Sequence, residues 1–192
     1  MTKTIDTLVD DIYDLLKNGT DTLSEESLND LGDSLKELMK RRLLSIEESH
    51  SKPTLRMSNI GKPLRQLYFD LKENAPREEL EPHTLFKFIF GDVIELLFLF
   101  LAQASGHSVT GEQKEVVLNG VKGHIDAIID DHLVDVKSTS TYAFKKFDEN
   151  RLQEDDAFGY MKQLAGYAQS EELKDKIKGA GFAAVSKELG KM

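Results

Sequence analysis

The sequence predicts a mixed α/β protein in which a small twisted sheet packs against helices. Apolar residues recur at helical spacing over residues 4–17 and again over residues 84–104. The period then changes, because residues 113–138 hold short Val- and Ile-rich runs separated by turn residues. Helical spacing returns afterwards and a last apolar run follows. This order of helices, strands, helix and strand is typical of a sheet flanked by helices.

The first 50 residues are expected to form a helical pair. The helix over residues 4–17 carries aspartates on its polar side, and Ser24 is placed to cap a second helix that reaches about Ile46. We treat residues 1–50 as an N-terminal extension and residues 51–192 as the main domain. A protein partner bound through these acidic helices is one use for such an extension.

A long apolar helix is predicted from Thr84 to Ala104, after a short helical region at 55–73. It is long enough to cross a bilayer, but Lys87, Asp92 and Glu95 interrupt it. Each charge would cost about 2.5–3.5 kcal/mol at mid-bilayer. We therefore expect a helix wrapped by other elements and no membrane partner.

Three strands in two hairpins follow the long helix. The first strand spans 113–118, the hairpin signal Asn119-Gly120 leads into a second strand over 121–129, and a tight turn leads into a third strand over 133–138. Residues 139–151 are predicted as loop.

The C-terminal part is predicted as a helix over 153–173 and a fourth strand over 182–185. Residues 187–191 have the composition of a turn after a strand, and a further strand should follow. Two alternatives are open: the last residues fray, or the domain lacks its C-terminal strand or strands, which is the alternative that we favour.

Composition excludes several classes of site. The 192 residues include no Cys, which rules out disulfides, thiolate zinc sites and Cys-ligated iron–sulfur clusters, and fits a reducing compartment. The N-terminus has no secretory signal, so a cytoplasmic location is expected. The net charge of −9 argues against nucleic-acid binding through bulk charge. However, residues 51–77 hold six basic and two acidic side chains.

The most informative residues are Asp126, Asp135 and Lys137. Strand alternation and the tight turn between the two acids place all three on one face of a hairpin. Two carboxylates packed together repel each other and are costly to desolvate unless a cation neutralises them. Hard oxygen ligands suit Mg²⁺ or Mn²⁺, and Lys137 beside such an ion could orient water. An ordinary solvated strand face is the alternative.

Glu95 is a third acid of interest. It lies between Ile94 and Leu96 in the apolar helix, where an ionised side chain is costly unless it is paired or coordinated. A metal ligand and a salt bridge to a Lys both remain open.

Taken in order, Glu95, Asp126 and the run Asp135-Val136-Lys137 resemble the PD-(D/E)XK nuclease superfamily. Gln163 and Tyr167 form a Gln-x-x-x-Tyr motif similar to that of its RecB-like and phage exonucleases. The segment from Ser58 through Arg65 to Tyr68 resembles their N-terminal motif. The resemblance covers about residues 55–187, and it implies a restriction-endonuclease-like core of helix, three strands, helix and strand.

The resemblance also implies roles. Catalysis would rest on Asp126, Asp135 and Lys137, and the metal ligands would be Glu95, Asp126, Asp135 and the Val136 carbonyl. Substrate contacts would come from Gln163, Tyr167, Ser58 and Arg65, with bracing of the site or core packing as alternatives for Tyr167. Many relatives carry four Cys for an iron–sulfur cluster, so this chain would be a member without that cluster.

The function implied is a divalent-metal-dependent DNA exonuclease using Mg²⁺ or Mn²⁺. It would act in the cytoplasm of a bacterium or phage-infected host, in DNA degradation, recombination or repair. A structure-selective endonuclease on the same core and a catalytically idle module that binds DNA or protein are the alternatives.

Overall fold

The computed structural model describes residues 3–44, 54–72 and 80–192. Its contacts divide the chain into two compact units. The first unit joins residues 1–51 to residues 79–109, and the second joins residues 52–78 to residues 110–192. The end expected for the second helix, at about Ile46, lies outside the described residues.

The described part of the first unit contains three helices: α1 (Leu8–Asn18), α2 (Glu25–Leu44) and α4 (Pro82–Ala104). A 3-10 turn, Ile5–Thr7, leads into α1. The Ser24 hydroxyl accepts a hydrogen bond from the Ser27 amide at 3.1 Å, which is the cap that the sequence predicts for α2. Both α1 and α2 pack against α4.

Several charged side chains of this unit form ion pairs with one another. Arg42 on α2 donates two hydrogen bonds to the Asp92 carboxylate on α4, at 2.6 and 2.8 Å. Lys3 pairs with Asp11 on α1, whose other oxygen lies 3.2 Å from the buried His107 ring. Asp92, one of the charges that interrupts the apolar helix, is therefore neutralised by Arg42.

The long helix α4 is wrapped only in part. Phe98, Leu99 and Ala102 in its C-terminal half are buried, whereas Phe86 and several neighbouring apolar side chains in its first half are exposed. The expectation of burial on nearly all sides is therefore wrong for the first half. No helix among the described residues is both long and apolar enough to cross a membrane.

Over its described residues, the second unit combines three helices with two sheets. Its helices are α3 (Leu64–Leu71), α5 (Thr141–Asp148) and α6 (Tyr160–Ala168). Its strands are β1 (Val109–Thr110, which begins at the boundary), β2 (Glu115–Leu118), β3 (Val121–His124), β4 (Ala127–Ile129), β5 (His132–Thr139) and β6 (Gly179–Ser186). One sheet has the order β1-β4-β5-β6 and the other pairs β2 with β3. The mixed α/β class is confirmed.

Both predicted hairpin turns are present. Asn119 and Gly120 have φ angles of 50° and 80°, and Asp130 and Asp131 have φ angles of 48° and 66°. Positive φ at both central residues gives the twist that suits a two-residue hairpin. The first turn joins β2 to β3, and the second joins β4 to β5.

The single strand predicted over 121–129 is wrong, because the backbone leaves the ladder between β3 and β4. The Ile125 amide donates to the Lys114 carbonyl at 3.1 Å, and the Asp126 carbonyl accepts from the Gln113 amide at 3.2 Å. These bonds turn the chain from one sheet into the other at Asp126.

Two further predictions are corrected. Residues 139–151 are not loop, since α5 occupies most of them and the Ser140 hydroxyl caps it by accepting from the Ala143 amide at 3.3 Å. The helix predicted over 153–173 is reduced to α6, preceded by a 3-10 turn at Leu152–Glu154. Gly159 has a φ of 73° and is the last non-helical residue before α6.

Buried side chains between the sheets and α6 form the core of the second unit. Strand β6 runs parallel to β5 along its whole length, so β5 is an interior strand. The core cluster comprises Met57, Val116, Ile125, Leu133, Leu164, Tyr167 and Leu173. Asp135 and Lys137 lie on the same face of β5 as Leu133 of this cluster, so both side chains project from a strand that is packed into the core.

Candidate metal centre

Asp126 lies next to the segment of β5 that carries Asp135. Ala127, the first residue of β4, pairs with Val134 in the antiparallel register, and Asp126 directly precedes Ala127. The Asp126 Oδ2 atom accepts a hydrogen bond of 2.7 Å from the Val136 amide, which fixes that carboxylate against β5.

Asp135 is the buried member of the pair. It is 2% exposed, and its Oδ2 atom forms an ion pair with the Lys137 ammonium. That oxygen has no partner in hydrogen-bond geometry among the described residues. A buried carboxylate oxygen that lacks a full hydrogen-bond complement is costly, and a bound cation would compensate for this.

Burial governs the electrostatics of this position. Desolvation raises the pKa of Asp135, and the positive charge of Lys137 opposes that rise. The ammonium is itself mostly buried and lies 4.7 Å from the centre of the Tyr160 ring. The two carboxylates and the ammonium thus form one compact charged cluster on an apolar support.

The Val136 backbone faces the same edge. Its amide points to Asp126, and in an extended strand the N–H and C=O of one residue point to the same neighbour. The pairing of β4 begins only at Ala127, so the Val136 carbonyl is directed towards the carboxylate edge beyond that strand. The donor set of two carboxylates and a carbonyl is hard and fits Mg²⁺ or Mn²⁺.

Glu95 belongs to the other compact unit. It is half-buried on α4, within the unit of residues 1–51 and 79–109. Within residues 3–44, 54–72 and 80–192, no group of three or more His, Cys, Asp or Glu side chains comes together as a metal site. Asp126 and Asp135 are therefore the acids that the structure brings together, and a metal contact from Glu95 stays a prediction.

Gln163 and Tyr167 are one turn apart on α6. Gln163 Nε2 donates to the Tyr167 hydroxyl at 3.0 Å, and Tyr167 is 3% exposed within the core. Burial raises the pKa of the Tyr167 hydroxyl to about 12, so it stays protonated. Gly123 leaves room for the ring, because a Cβ there would lie 2.5 Å from Tyr167 Cε1. Tyr167 is placed to brace Gln163, and a substrate contact by Gln163 stays a prediction.

Ser58 and Arg65 lie on the surface of the second unit. Ser58 is in the 3-10 turn Met57–Asn59, and Arg65 is in the first turn of α3. Both are exposed. Lys62 between them pairs with Asp70 at 2.8 Å. The turn is anchored by Met57, which is fully buried in the core.

An aromatic pair beside Lys137 was not anticipated as part of the site. Phe158 falls within the helix predicted over 153–173, but it precedes α6 and is 69% exposed. Its ring stacks on Tyr160 with centroids 5.4 Å apart. Gly159 between them was the available signal, since a glycine at the predicted start of a helical stripe favours a turn.

Comparison of the chain with protein-family models, with curated proteins and with solved structures gave no match.

Proposed function

We propose that the chain is a divalent-metal-dependent DNA exonuclease that hydrolyses phosphodiester bonds at the Asp126–Asp135 edge. The observation that carries this proposal is the cluster itself: two adjacent carboxylates, one buried, with an ammonium paired to the buried one. Such a cluster is unfavourable in a core unless it has a ligand to neutralise it.

Each residue of the cluster has a distinct task. Asp126 and Asp135, with the Val136 carbonyl, would hold the cation. When bound, Mg²⁺ or Mn²⁺ supplies a Lewis acid for the phosphodiester. Lys137 carries a proton and a positive charge beside the ion site, and it would orient the attacking water and stabilise negative charge on the phosphoryl group. Gln163, held by Tyr167, would contact the substrate strand.

The element order supports a restriction-endonuclease-like core of the PD-(D/E)XK type. An acidic hairpin, β4–β5, is followed by α6 with the Gln-x-x-x-Tyr motif and by β6, which runs parallel to β5. The exposed Arg65 lies in the segment of net positive charge, which suits a DNA backbone. A bacterial or phage-infected cytoplasm is the setting that we propose.

Linear and covalently closed circular duplexes of the same sequence test the proposal. With Mg²⁺ or Mn²⁺, the exonuclease should release nucleotides from the linear form and leave the circle intact. Nicking or linearisation of the circle would indicate a structure-selective endonuclease instead. Binding of DNA without turnover at any concentration of either ion would overturn the enzymatic proposal and favour an idle binding module.

A further inference from the structure

An ordered aromatic pair lies at the surface of the second unit. The Phe158 and Tyr160 rings stack with centroids 5.4 Å apart and an angle of 21° between their planes. Phe158 is 69% exposed, whereas Tyr160 is half-buried. A large apolar ring held out in water on one face, and stacked on the other, offers that free face to a flat ligand.

The pair adjoins the charged cluster. The Lys137 ammonium lies 4.7 Å from the centre of the Tyr160 ring, and the same ammonium pairs with Asp135. Tyr160 is supported from behind by Phe147, with ring centroids 6.4 Å apart, and by Phe182 at the same separation. Tyr160 therefore contacts the cluster through Lys137 and also carries the exposed ring of Phe158.

Hydrogen bonds and a close backbone contact hold the turn that presents Phe158. The Asp156 carboxylate accepts hydrogen bonds from the Tyr160 amide at 2.8 Å and from the Met161 amide at 2.9 Å. Gly159 adopts φ at 73°, and its backbone packs so closely on Gly61 that a Cβ would lie 2.2 Å from Gly61 Cα. The exposed ring is thus positioned before any ligand arrives, which lowers the entropic cost of binding.

A nucleobase is the flat ligand that this position fits. Every base has a face that stacks on an aromatic ring, and an adjacent cation attracts the neighbouring phosphate. A base inside a duplex has both faces covered by its neighbours, so only an unpaired or terminal base can stack on a protein ring.

We propose that Phe158 and Tyr160 form a stacking platform for the unpaired base next to the scissile phosphate. The preferred substrate is then single-stranded DNA or a frayed end, rather than a paired duplex. This inference rests on the proposed function for its placement of the phosphate at Lys137. The stacking of a base on Phe158 can be measured independently of cleavage.

The test compares wild type with Phe158→Leu, Phe158→Ala and Phe158→Tyr. Fluorescence anisotropy follows binding of dye-labelled oligo(dT) and of a blunt duplex at low salt with EDTA, so that no strand is cut. We expect tighter binding of the single strand by wild type. Leu keeps the apolar bulk but loses the aromatic face, so it should weaken single-strand binding about tenfold, as should Ala. Tyr should restore it, and duplex binding should not change.

Two results would overturn the inference: equal binding of both DNAs by wild type, or wild-type affinity for the single strand in Phe158→Leu. Thermal unfolding curves check the fold, which an exposed side chain should not affect. A parallel cleavage assay with Mg²⁺ or Mn²⁺ separates the two proposals. If Phe158→Leu cleaves DNA with an unaltered KM, the stacking platform is contradicted but the exonuclease proposal stands. If DNA binding depends on Phe158 but no DNA is cleaved, the exonuclease proposal is contradicted but the stacking platform stands.

Discussion

Asp135 carries a cost in stability that its proposed role at the metal centre would explain. It is buried to 2% exposure, and its carboxylate is balanced only by its ion pair with Lys137 among the described residues. Burial raises its pKa, which means that the fold disfavours the ionised form. A side chain with this cost persists in a protein when its charge is used.

Asp135→Asn should therefore remove activity without a large loss of stability. A carboxyl whose pKa is raised by folding stabilises the fold only below its unfolded value of about 3.9, and this contribution is lost as pH rises through the folded value. At pH 7 the raised pKa of Asp135 opposes folding, whereas Asn leaves the mostly buried Lys137 side chain without its partner, so the two effects offset each other. Urea unfolding should show a free energy of unfolding within about 2 kcal/mol of wild type, and cleavage should fall at least about 100-fold. A loss above about 2 kcal/mol would show that the ion pair is a net stabiliser.

The depressed pKa of Asp11 predicts that the first unit loses stability in acid. Hydrogen bonds from Lys3 and Thr7 hold the pKa of Asp11 at about 2, with a smaller contribution from His107. Since this pKa is depressed, its stabilising contribution is present above the unfolded value of about 3.9 and is lost as pH falls towards 2. The stability difference between wild type and Asp11→Asn should shrink across that window in circular-dichroism unfolding curves. Asp10→Asn, on the exposed side of the same helix, is the matched control. A constant difference from pH 7 to pH 2 would contradict the assignment.

At the scale of elements, substitution of Ala for two different glycines should change the stability of the protein in opposite directions. Gly159→Ala places a Cβ at positive φ and 2.2 Å from Gly61 Cα, so it should destabilise the second unit by about 1–3 kcal/mol. Gly91 lies inside α4, where a Cβ would meet no atom within 4 Å, and Ala there should add up to about 1 kcal/mol.

Thermal unfolding of both Ala variants measures these effects. Gly32→Ala is the control for Gly91, because Gly32 lies inside α2 and is equally open. A neutral Gly159→Ala would show that the turn below Phe158 is not held by this close approach. If Gly91→Ala stabilises the protein as Gly32→Ala does but alone lowers cleavage, the backbone at Gly91 faces a ligand.

Local signals in the sequence predicted the elements that depend on local chemistry. Ser24 predicted the start of α2, and Asn119-Gly120 predicted the first hairpin. The tight turn after Ile129 also predicted the second hairpin, in which Ala127 pairs with Val134. These features needed only a few neighbouring residues.

The errors arose where distant contacts decide the structure. The break at Asp126 depends on bonds to Gln113 and Lys114, and alternation alone continues the strand through it. Helix α5 was missed although Ser140 carries a capping hydroxyl, because its short apolar pattern did not stand out from a loop. Exposure of Phe158 depends on the packing of Gly159 against Gly61, which lies about 100 residues away and has no sequence signal.

At the scale of the whole molecule, the charge distribution would limit the proposed binding of DNA. The net charge is −9, while residues 51–77 hold six basic and two acidic side chains. Binding should be weak and should involve few phosphates, because the affinity of a protein for DNA falls with salt in proportion to the phosphates it neutralises.

Arg65→Ala should reduce that salt dependence. If Arg65 contacts one phosphate, the slope of log K against log salt should fall by about 0.9, with weaker binding to every sequence. Fluorescence anisotropy titrations over a salt series measure the slope. Lys40→Ala is the control, since Lys40 is paired with Glu37 on the acidic helix α2. An unchanged slope for Arg65→Ala would show that Arg65 does not contact a DNA phosphate.

Digestion of end-labelled linear DNA tests the central claim most directly. Duplex and single strands carrying 5′ or 3′ labels are incubated with wild type, Lys137→Ala and Lys122→Ala, with EDTA, Mg²⁺ or Mn²⁺. Lys122 is the matched control because it is exposed on β3 and paired with Glu115. We predict release of labelled nucleotides only with a divalent ion, loss of at least about 100-fold in Lys137→Ala, and no change in Lys122→Ala. Wild-type activity in Lys137→Ala, or no cleavage by wild type with either ion, would contradict the account.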